Sequence, residues 1–331
     1  MIGLSQKKIL LFYPYGTTKH YGDAIKLKLK EKGAYVVEYD ERPSQKTLSK
    51  IIIRLAKKKI PYIFSRYIKK VITENIDADF DYILICRGEA FTPYTINQLK
   101  KAYPNAKIIL YLWDILRSTK VSYNIPYCDK AMSFDPQDVE ENEGLLFRPT
   151  FSVDEYRLVR NDIPKQNDLV FIGTLHSNRY KIIQSFDEKL KEQGIRFYKY
   201  LFIPSIIVYL KELVLKFPYI GINKVHFTPI SLKKTISLLG VSKAILDINY
   251  TGQKSLSTRA FEAMNAQRKY ITTNSEIKNY DFYDPNNILV VDIDNPIVPK
   301  EFLDSPFKPI DDVILQKYSI EGLIDDLFND I

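Results

Sequence analysis

The stretch that decides the fold runs from residue 168 to residue 202 and reads DLVFIGTLHSNRYKIIQSFDEKLKEQGIRFYKYLF. An apolar run over 168–174 predicts a buried β-strand, and a second strand is predicted over 195–202. Between them, apolar residues at helical spacing over 176–194 predict an amphipathic helix. A strand, a helix and a strand in this order make up the unit of a parallel sheet that is covered by helices.

The same alternation extends toward both ends of the chain. On the C-terminal side it predicts helices over 231–243, 257–267 and 319–331, and strands over 244–250, 269–274 and 287–292. On the N-terminal side it predicts strands over 7–16, 34–40, 81–89, 106–114 and 128–135, helices over 22–33 and 92–104, and an exit segment over 144–151. Gly33 is expected to end the first helix. The chain therefore reads as two Rossmann-like α/β halves.

A chain of 331 residues divides most simply into two domains. The stretch 151–168 is polar without a clear period, so we interpret it as the linker between an N-terminal domain (1–155) and a C-terminal domain (156–331). Ligands of open parallel sheets bind beyond the carboxyl ends of the strands. Two such domains are therefore expected to face each other across a ligand cleft.

Several functions are disfavoured by motifs that the sequence lacks. No G-x-G-x-x-G follows the first strand, where YPYGTTKHYGD (13–23) stands, and neither a P-loop nor a G-x-S-x-G elbow occurs. The three histidines are widely spaced, which argues against a zinc site, and we expect no metal. With two cysteines, no export signal at the start and no apolar run of 18 residues, a cytoplasmic location is the expectation.

Two strand-to-helix junctions in the second half have the chemistry of an anion site. In the first junction Gly173 ends a strand, and Arg179 lies near the start of the following helix. The second junction opens the helix 257–267, where free backbone N–H groups favour a diphosphate. Its candidate donor-binding residues are Lys254, Ser257, Thr258, Arg259 and Glu262. Glu262 shares a helix face with Arg259, and its carboxylate is suited to accept hydrogen bonds from a ribose diol.

Several segments resemble the two-domain (GT-B) nucleotide-sugar glycosyltransferases, more narrowly the bacterial enzymes that build capsule, exopolysaccharide or lipopolysaccharide. They are TRAFEAMNAQRKYITTN (258–274), AILDINY (244–250), DLVFIGTLHSNRY (168–180), ILYLWD (109–114) and DKAMSFDPQDVEENEGLLFRP (129–149). The resemblance implies that Glu262 binds the donor ribose and that Arg259 and Arg179 bind the diphosphate. Many retaining members carry two acids in an E-x7-E pattern, but Lys254 stands in the first of those positions.

The catalytic base is sought in the N-terminal half, since an inverting enzyme needs a carboxylate or a histidine to activate the acceptor hydroxyl. Glu89 and Asp114 rank first because both follow predicted strands, whose carboxyl ends face the cleft. His20 and Asp23, in the first loop, rank behind them. Retention and inversion both remain open at this stage.

Positive charge is concentrated between Arg42 and Thr73, where ten lysines or arginines occur without an acid. Apolar residues recur there at helical spacing, so the segment is either a pair of surface helices with a cationic face or a docking site for anionic lipid. The candidate docking residues are Lys50, Arg54, Lys57, Lys58, Arg66, Lys69 and Lys70. No nucleic-acid motif occurs, and we expect no nucleic-acid partner.

Three functions agree with these observations. The first is a hexosyltransferase that moves a sugar from a nucleotide diphosphate, with UDP favoured, to a lipid-linked or growing glycan in surface polysaccharide biosynthesis. It would need no cofactor besides that co-substrate and would lie peripherally on the inner face of the cell membrane. The second is a nucleotide-sugar epimerase of the same architecture. The third is a non-catalytic two-domain sugar-binding protein.

Overall fold

A computed structural model describes residues 3–16, 18–43, 60–175, 179–215, 220–249 and 253–331. The chain forms two compact units, one made of Met1–Thr150 with Ile320–Ile331 and the other of Phe151–Ser319. Each unit contains one sheet, of six strands in the first and five in the second, and every strand pair is parallel. The two α/β domains with parallel sheets that the sequence predicts are confirmed.

The first domain is built on a sheet of order β2-β1-β3-β4-β5-β6. Its strands are β1 (Lys8–Tyr13), β2 (Tyr35–Asp40), β3 (Tyr82–Cys86), β4 (Lys107–Leu112), β5 (Lys130–Ser133) and β6 (Leu145–Phe147). In β1 and β4 every residue after the first is buried. Such continuous burial is the pattern of a parallel strand whose two faces are both covered.

Five helices are described between the strands of the first domain. They are α1 (Lys19–Glu31), α2 (Ile60–Glu74), α3 (Pro93–Ala102), α4 (Leu116–Thr119) and α5 (Pro136–Glu141). The short α4 and α5 were not predicted. Thr92 caps α3 with its side chain, and Pro93 occupies the first helical position, where its missing N–H costs nothing. Gly33 adopts φ +87 just beyond α1, as expected for a residue that ends a helix.

Gly22 provides a test of the packing between α1 and β1. A Cβ at this helical position would lie 1.9 Å from Cδ2 of the buried Tyr13 ring. That ring cannot yield freely, because its hydroxyl lies against the carboxylates of Asp23 and Glu38. Gly22→Ala should therefore destabilise the domain by about 2 kcal/mol, although alanine favours helix formation. Thermal unfolding of Gly22→Ala and of Lys30→Ala, an exposed control on α1, checks this; equal melting temperatures would contradict it.

The second domain is built on a sheet of order β11-β10-β9-β7-β8. Its strands are β7 (Asn167–Thr174), β8 (Phe197–Phe202), β9 (Ser242–Asp247), β10 (Lys269–Thr272) and β11 (Ile288–Val290). Its helices are α6 (Arg179–Glu192), α7 (Ile206–Leu215), α8 (Leu232–Gly240), α9 (Thr258–Asn265), α10 (Lys300–Asp304) and α11 (Asp312–Lys317). The opening strand–helix–strand stretch thus forms β7, α6 and β8.

The segment after Thr150 is not a free linker. Phe151, Val153 and Tyr156 are buried, and Ser152 accepts a hydrogen bond from Asn265 of α9. Because these apolar side chains pack on the second domain, the division falls between residues 150 and 151 instead of after residue 155. The segment has no helical or strand period, so nothing in the sequence indicated that these side chains are buried.

The C-terminal helix belongs to the first domain, whereas the sequence division assigned the whole stretch 156–331 to the second. Helix α12 (Ile320–Phe328) is amphipathic as predicted, and it buries its apolar side chains. Lys32 of the first domain pairs with Glu321 at 2.9 Å and with Asp325 at 3.1 Å. The buried Arg148 contacts Asp326 at 2.7 Å. Contacts between residues so distant along the chain leave no signal in local periodicity.

None of the helices in the described part of the chain combines the length and the hydrophobicity needed to cross a membrane.

Candidate functional site

Each sheet contains one point at which the chain direction along the strand order reverses. From β1 the chain goes to β2 on one side and then to β3 on the other, and from β7 it goes to β8 on one side and then to β9 on the other. Ligands of open α/β sheets bind at the carboxyl ends of the strands beside such a switch point. The fold therefore nominates one candidate site in each domain.

The site of the first domain contains a group of charged side chains, the Arg87 cluster, which consists of Glu41, Arg42, Arg87, Glu89 and Asp114. Arg87 follows β3 and contacts Asp114 at 2.7 Å through Nε and Glu89 at 2.9 Å through a terminal nitrogen. Arg42 contacts the same Glu89 oxygen at 2.6 Å. The structure thus brings the two predicted catalytic carboxylates to one guanidinium.

The backbone of this loop is unusual. Arg87 and Gly88 adopt φ values of +79 and +75 in succession. A side chain at Gly88 would be strained by this φ, and its Cβ would also lie 2.7 Å from Cδ1 of Leu110. For Arg87 such a conformation costs about 1–3 kcal/mol, and strain of this kind concentrates at functional sites. The Arg87 N–H donates to the carbonyl of Tyr111 at 2.7 Å, which fixes the turn.

Glu41, like Arg87, is a member of the cluster that the sequence reasoning did not select. Its side chain is fully buried, and its Oε1 accepts the N–H of Ala90 at 3.0 Å. Burial raises the pKa of Glu41 to about 7, although Arg87 and Arg42 act in the opposite direction. Glu41 directly follows β2. A position after a strand was the reason for selecting Glu89 and Asp114, and the same reasoning could have found Glu41.

Neither predicted base stands alone in this structure, because Glu89 and Asp114 share the Arg87 ion pairs. Exclusion of water raises the pKa of Asp114 above its ordinary value, although the positive charge of Arg87 opposes the rise. Asp23 has the opposite tendency: burial by itself raises its pKa, but hydrogen bonds from Lys19 and Tyr13 outweigh burial and lower it. Asp23 is therefore the weaker base, and His20 packs against Tyr21.

In the second domain, Arg179 lies at the switch point and connects the ends of β7 and β9. It begins α6, which follows β7, and it donates to the carbonyl of Ile248, just beyond β9, at 2.8 Å. Burial lowers the pKa of Arg179, and Asp247 raises it. Gly173 makes room for this arrangement, since a Cβ there would lie 2.7 Å from the Phe171 ring and 3.6 Å from the guanidinium.

The second junction, at the start of α9, contacts Asp247 at the end of β9. Ser257 caps α9 by accepting the N–H of Arg259, and it donates to Asp247 at 2.7 Å. Tyr270 also donates to Asp247, at 2.7 Å. Burial and that carboxylate raise the pKa of Tyr270 far above its usual range, so the phenol stays protonated. Asp247 and Tyr270, which the sequence reasoning did not select, thus hold the cap in place.

Glu262 and Arg259 face each other on α9 as predicted, with 2.6 Å between carboxylate and guanidinium. The Glu262 side chain is 1 % exposed, so a ribose hydroxyl reaches it only if this ion pair opens. Its ribose role stays a prediction. Thr258 is the first residue of α9, and Lys254 is exposed on the loop before it. His176, Ser177 and Asn178, of the first junction, lie outside the described residues.

The described parts of the basic segment are Arg42, which belongs to the Arg87 cluster, Pro43, and residues 60–73 of α2. Arg66, Lys69 and Lys70 are exposed, while Phe64, Ile68 and Val71 of the same helix are buried in the core of the first domain. The apolar face of α2 is therefore used for packing, and its cationic face is outward. The other docking residues, Lys50, Arg54, Lys57 and Lys58, lie outside the described residues.

Comparison with known proteins gives likenesses of fold. No protein-family model matches the sequence, and no curated protein matches it either. Among solved structures, a lipopolysaccharide outer core galactosyltransferase, WaaB in its apo form, superposes with a TM-score of 0.52 at 12 % identity, covering 98 % of this chain and 100 % of that one.

Two further structures are similar over nearly the whole chain. The UDP-GlcNAc 2-epimerase of Methanocaldococcus jannaschii, in complex with UDP-GlcNAc and UDP, has a TM-score of 0.54 at 12 % identity, covering 97 % of this chain and 99 % of that one. The catalytic domain of starch synthase IV from Arabidopsis thaliana, bound to ADP and acarbose, has a TM-score of 0.53 at 10 % identity, with coverages of 98 % and 93 %. With its two parallel-sheet domains, the chain has the GT-B fold that glycosyltransferases and related epimerases share.

Proposed function

We propose that this protein is a glycosyltransferase that moves a sugar from a nucleotide-diphosphate donor, with UDP favoured, to a lipid-linked or growing glycan of a surface polysaccharide. The observation that carries the proposal is the position of Arg179 at the carboxyl ends of β7 and β9. A guanidinium is a strong hydrogen-bond donor to a diphosphate.

The Arg87 cluster supplies the chemistry of the acceptor side. We assign Glu89 or Asp114 as the base that removes the proton of the acceptor hydroxyl. Positioning and oriented charge supply the rate in this scheme, so no cofactor is needed besides the nucleotide sugar. Lys254, which stands in place of an acid, leaves the stereochemical outcome open.

Nucleotide binding is the first test of this function. UDP, GDP, CMP and dTDP at millimolar concentration are each added to the protein, and the melting temperature is recorded. A ligand that binds only the folded protein at a hundredfold excess over its Kd stabilises it by about 2.7 kcal/mol. UDP should give the largest rise in melting temperature, and no rise with any of the four would contradict every nucleotide-sugar function.

The ribose role of Glu262 gives a second test. Glu262→Ala should weaken nucleotide binding about tenfold, as expected for the loss of a charged hydrogen-bond acceptor. Because the substitution also leaves Arg259 without its buried partner, Glu262→Gln serves as a control of similar shape. Titration calorimetry of both variants, with circular dichroism to establish folding, measures the effect. Wild-type affinity in a folded Glu262→Ala protein would refute the role.

A nucleotide-sugar epimerase is the second candidate, since an epimerase structure has a TM-score as high as that of the galactosyltransferase. The two reactions differ in their need for an acceptor. Incubation of UDP-GlcNAc with the protein alone, followed by NMR of the sugar, separates them. Formation of the epimer would favour the second candidate over the first.

We further propose that the basic face of α2 holds the protein at the inner surface of an anionic membrane. Three exposed cations, Arg66, Lys69 and Lys70, contribute about 1 kcal/mol each near such a surface. Co-sedimentation with phosphatidylserine vesicles should be strong at 20 mM salt and fade above roughly 0.15 M, where screening acts within about 8 Å. A triple alanine variant should sediment less; equal sedimentation of both proteins would remove α2 from the docking surface.

A further inference from the structure

Glu41 is a buried acid that the proposed reaction does not use directly. It follows β2, and its backbone N–H donates to the carbonyl of Tyr13 at the end of β1 at 3.0 Å. Its Oε1 accepts the N–H of Ala90 at 3.0 Å, so it fixes the residue next to Glu89. Among the described residues, none donates a hydrogen bond to its Oε2.

An ionised carboxylate in this position would carry an unsatisfied charge away from water, which is unfavourable by several kcal/mol. Nevertheless, the guanidinium groups nearby are directed elsewhere: Arg42 contacts Glu89, and Arg87 contacts both Glu89 and Asp114. This distribution of partners is the one expected around a neutral carboxylic acid.

We propose that Glu41 is a positioning residue for the Arg87 cluster. As a neutral acid it leaves Arg42 and Arg87 paired with Glu89 and Asp114, and as a carboxylate it draws these guanidinium groups away and opens their two ion pairs with Glu89. The proton it loses goes to solvent. The inference rests on the proposed function only in taking Glu89 as the base.

The groups that face Glu41 set the pH at which this exchange occurs. Burial raises its pKa to about 7, the positive charges of Arg87 and Arg42 oppose the rise, and Glu89 adds to it. The buried thiol of Cys86 also faces Glu41, but burial raises its pKa well above the usual range, so it stays neutral. Glu41 is therefore expected to change charge near neutral pH.

NMR of the full-length protein tests the exchange without any assay of activity. Glutamate labelled with ¹³C at Cδ reports the ionisation of Glu41, and ¹⁵N at Nε reports the contacts of Arg87. Glu41→Gln and Arg87→Lys variants assign the two signals. We expect both signals to change with one midpoint near pH 7, and we expect the Arg87 transition to be absent in Glu41→Gln.

Three results would overturn the proposal. The first is an Arg87 transition that persists in Glu41→Gln. The second is a Glu41 signal that titrates near the ordinary value of about 4.3 for glutamate, and the third is an Arg87 signal that does not change when Glu41 titrates. If Glu41→Gln does not fold, the pH midpoints of the Glu41 and Arg87 signals in the wild-type protein still test the proposal, because it requires them to be equal. A pH profile of kcat/KM that loses its transition near pH 7 in Glu41→Gln extends the test to turnover. If no turnover is found, the proposed function fails while the NMR result stands.

Discussion

Replacing Arg268 with alanine is expected to cause a large loss of stability in the second domain. Arg268 is 4 % exposed and has the main-chain carbonyls of Leu239 and Arg160 as acceptors, each at 2.7 Å. Its other acceptors are the main-chain carbonyls of Gly240 and Gln267 and the side chain of Asn161. Burial lowers the pKa of Arg268 to about 10, so the guanidinium remains charged at neutral pH.

The Leu239 and Gly240 carbonyls lie at the end of α8, where Leu239 also accepts the N–H of Val241 and Gly240 also accepts a hydrogen bond from Lys165 at 2.7 Å. Alanine would remove the guanidinium from the Leu239 and Arg160 carbonyls, and a buried acceptor that loses its donor costs about 1–3 kcal/mol. We expect Arg268→Ala to lower the free energy of unfolding by about 3 kcal/mol, which corresponds to a fall of roughly 6–12 °C in melting temperature for a domain of this size.

Arg160→Ala is the matched control for that experiment. Arg160 lies in the same region, but its side chain is 67 % exposed and pairs only with the exposed Asp162. Exposed ion pairs of this kind contribute little. Thermal unfolding should thus give a near wild-type melting temperature for Arg160→Ala. Equal losses in the two variants would show that the buried carbonyl contacts are not the cause.

Arg179→Ala is expected to weaken nucleotide binding about 10- to 100-fold, which is the range for a charge-assisted hydrogen bond worth 1.5–3 kcal/mol. We expect Arg179 to contact a diphosphate at the β7–β9 switch point, because its guanidinium donates to the carbonyl of Ile248 just beyond β9. Titration calorimetry with the nucleotide that stabilises the wild-type protein most measures the loss.

Lys181→Ala is the control here, since Lys181 carries the same charge on the same helix but is exposed. Its removal should change the affinity less than twofold if long-range charge contributes little at physiological salt. Wild-type affinity for the nucleotide in a folded Arg179→Ala protein would show that Arg179 does not bind the donor. Equal losses in both variants would reduce its role to general electrostatic attraction.

Much of the fold was predictable because its signals are local. The apolar runs of β1 and β4 are buried almost throughout, as continuous hydrophobic strands of a parallel sheet should be. Helix α7, IIVYLKELVL, was missed because apolar residues lie all around it and give no amphipathic period. The strand predicted over 81–89 ends at Cys86, since the positive φ of Arg87 and Gly88 breaks the extended backbone.

The sequence by itself determined the alternation of strands and helices, the parallel sheets and the Arg259–Glu262 pair, because periodicity and helix spacing act over a few residues. Only the tertiary structure decided that α12 packs on the first domain, that Glu41 is buried, and that one guanidinium contacts both Glu89 and Asp114. These contacts join residues far apart in the chain. Their energies depend on strand order and on the exclusion of water, which no local pattern encodes.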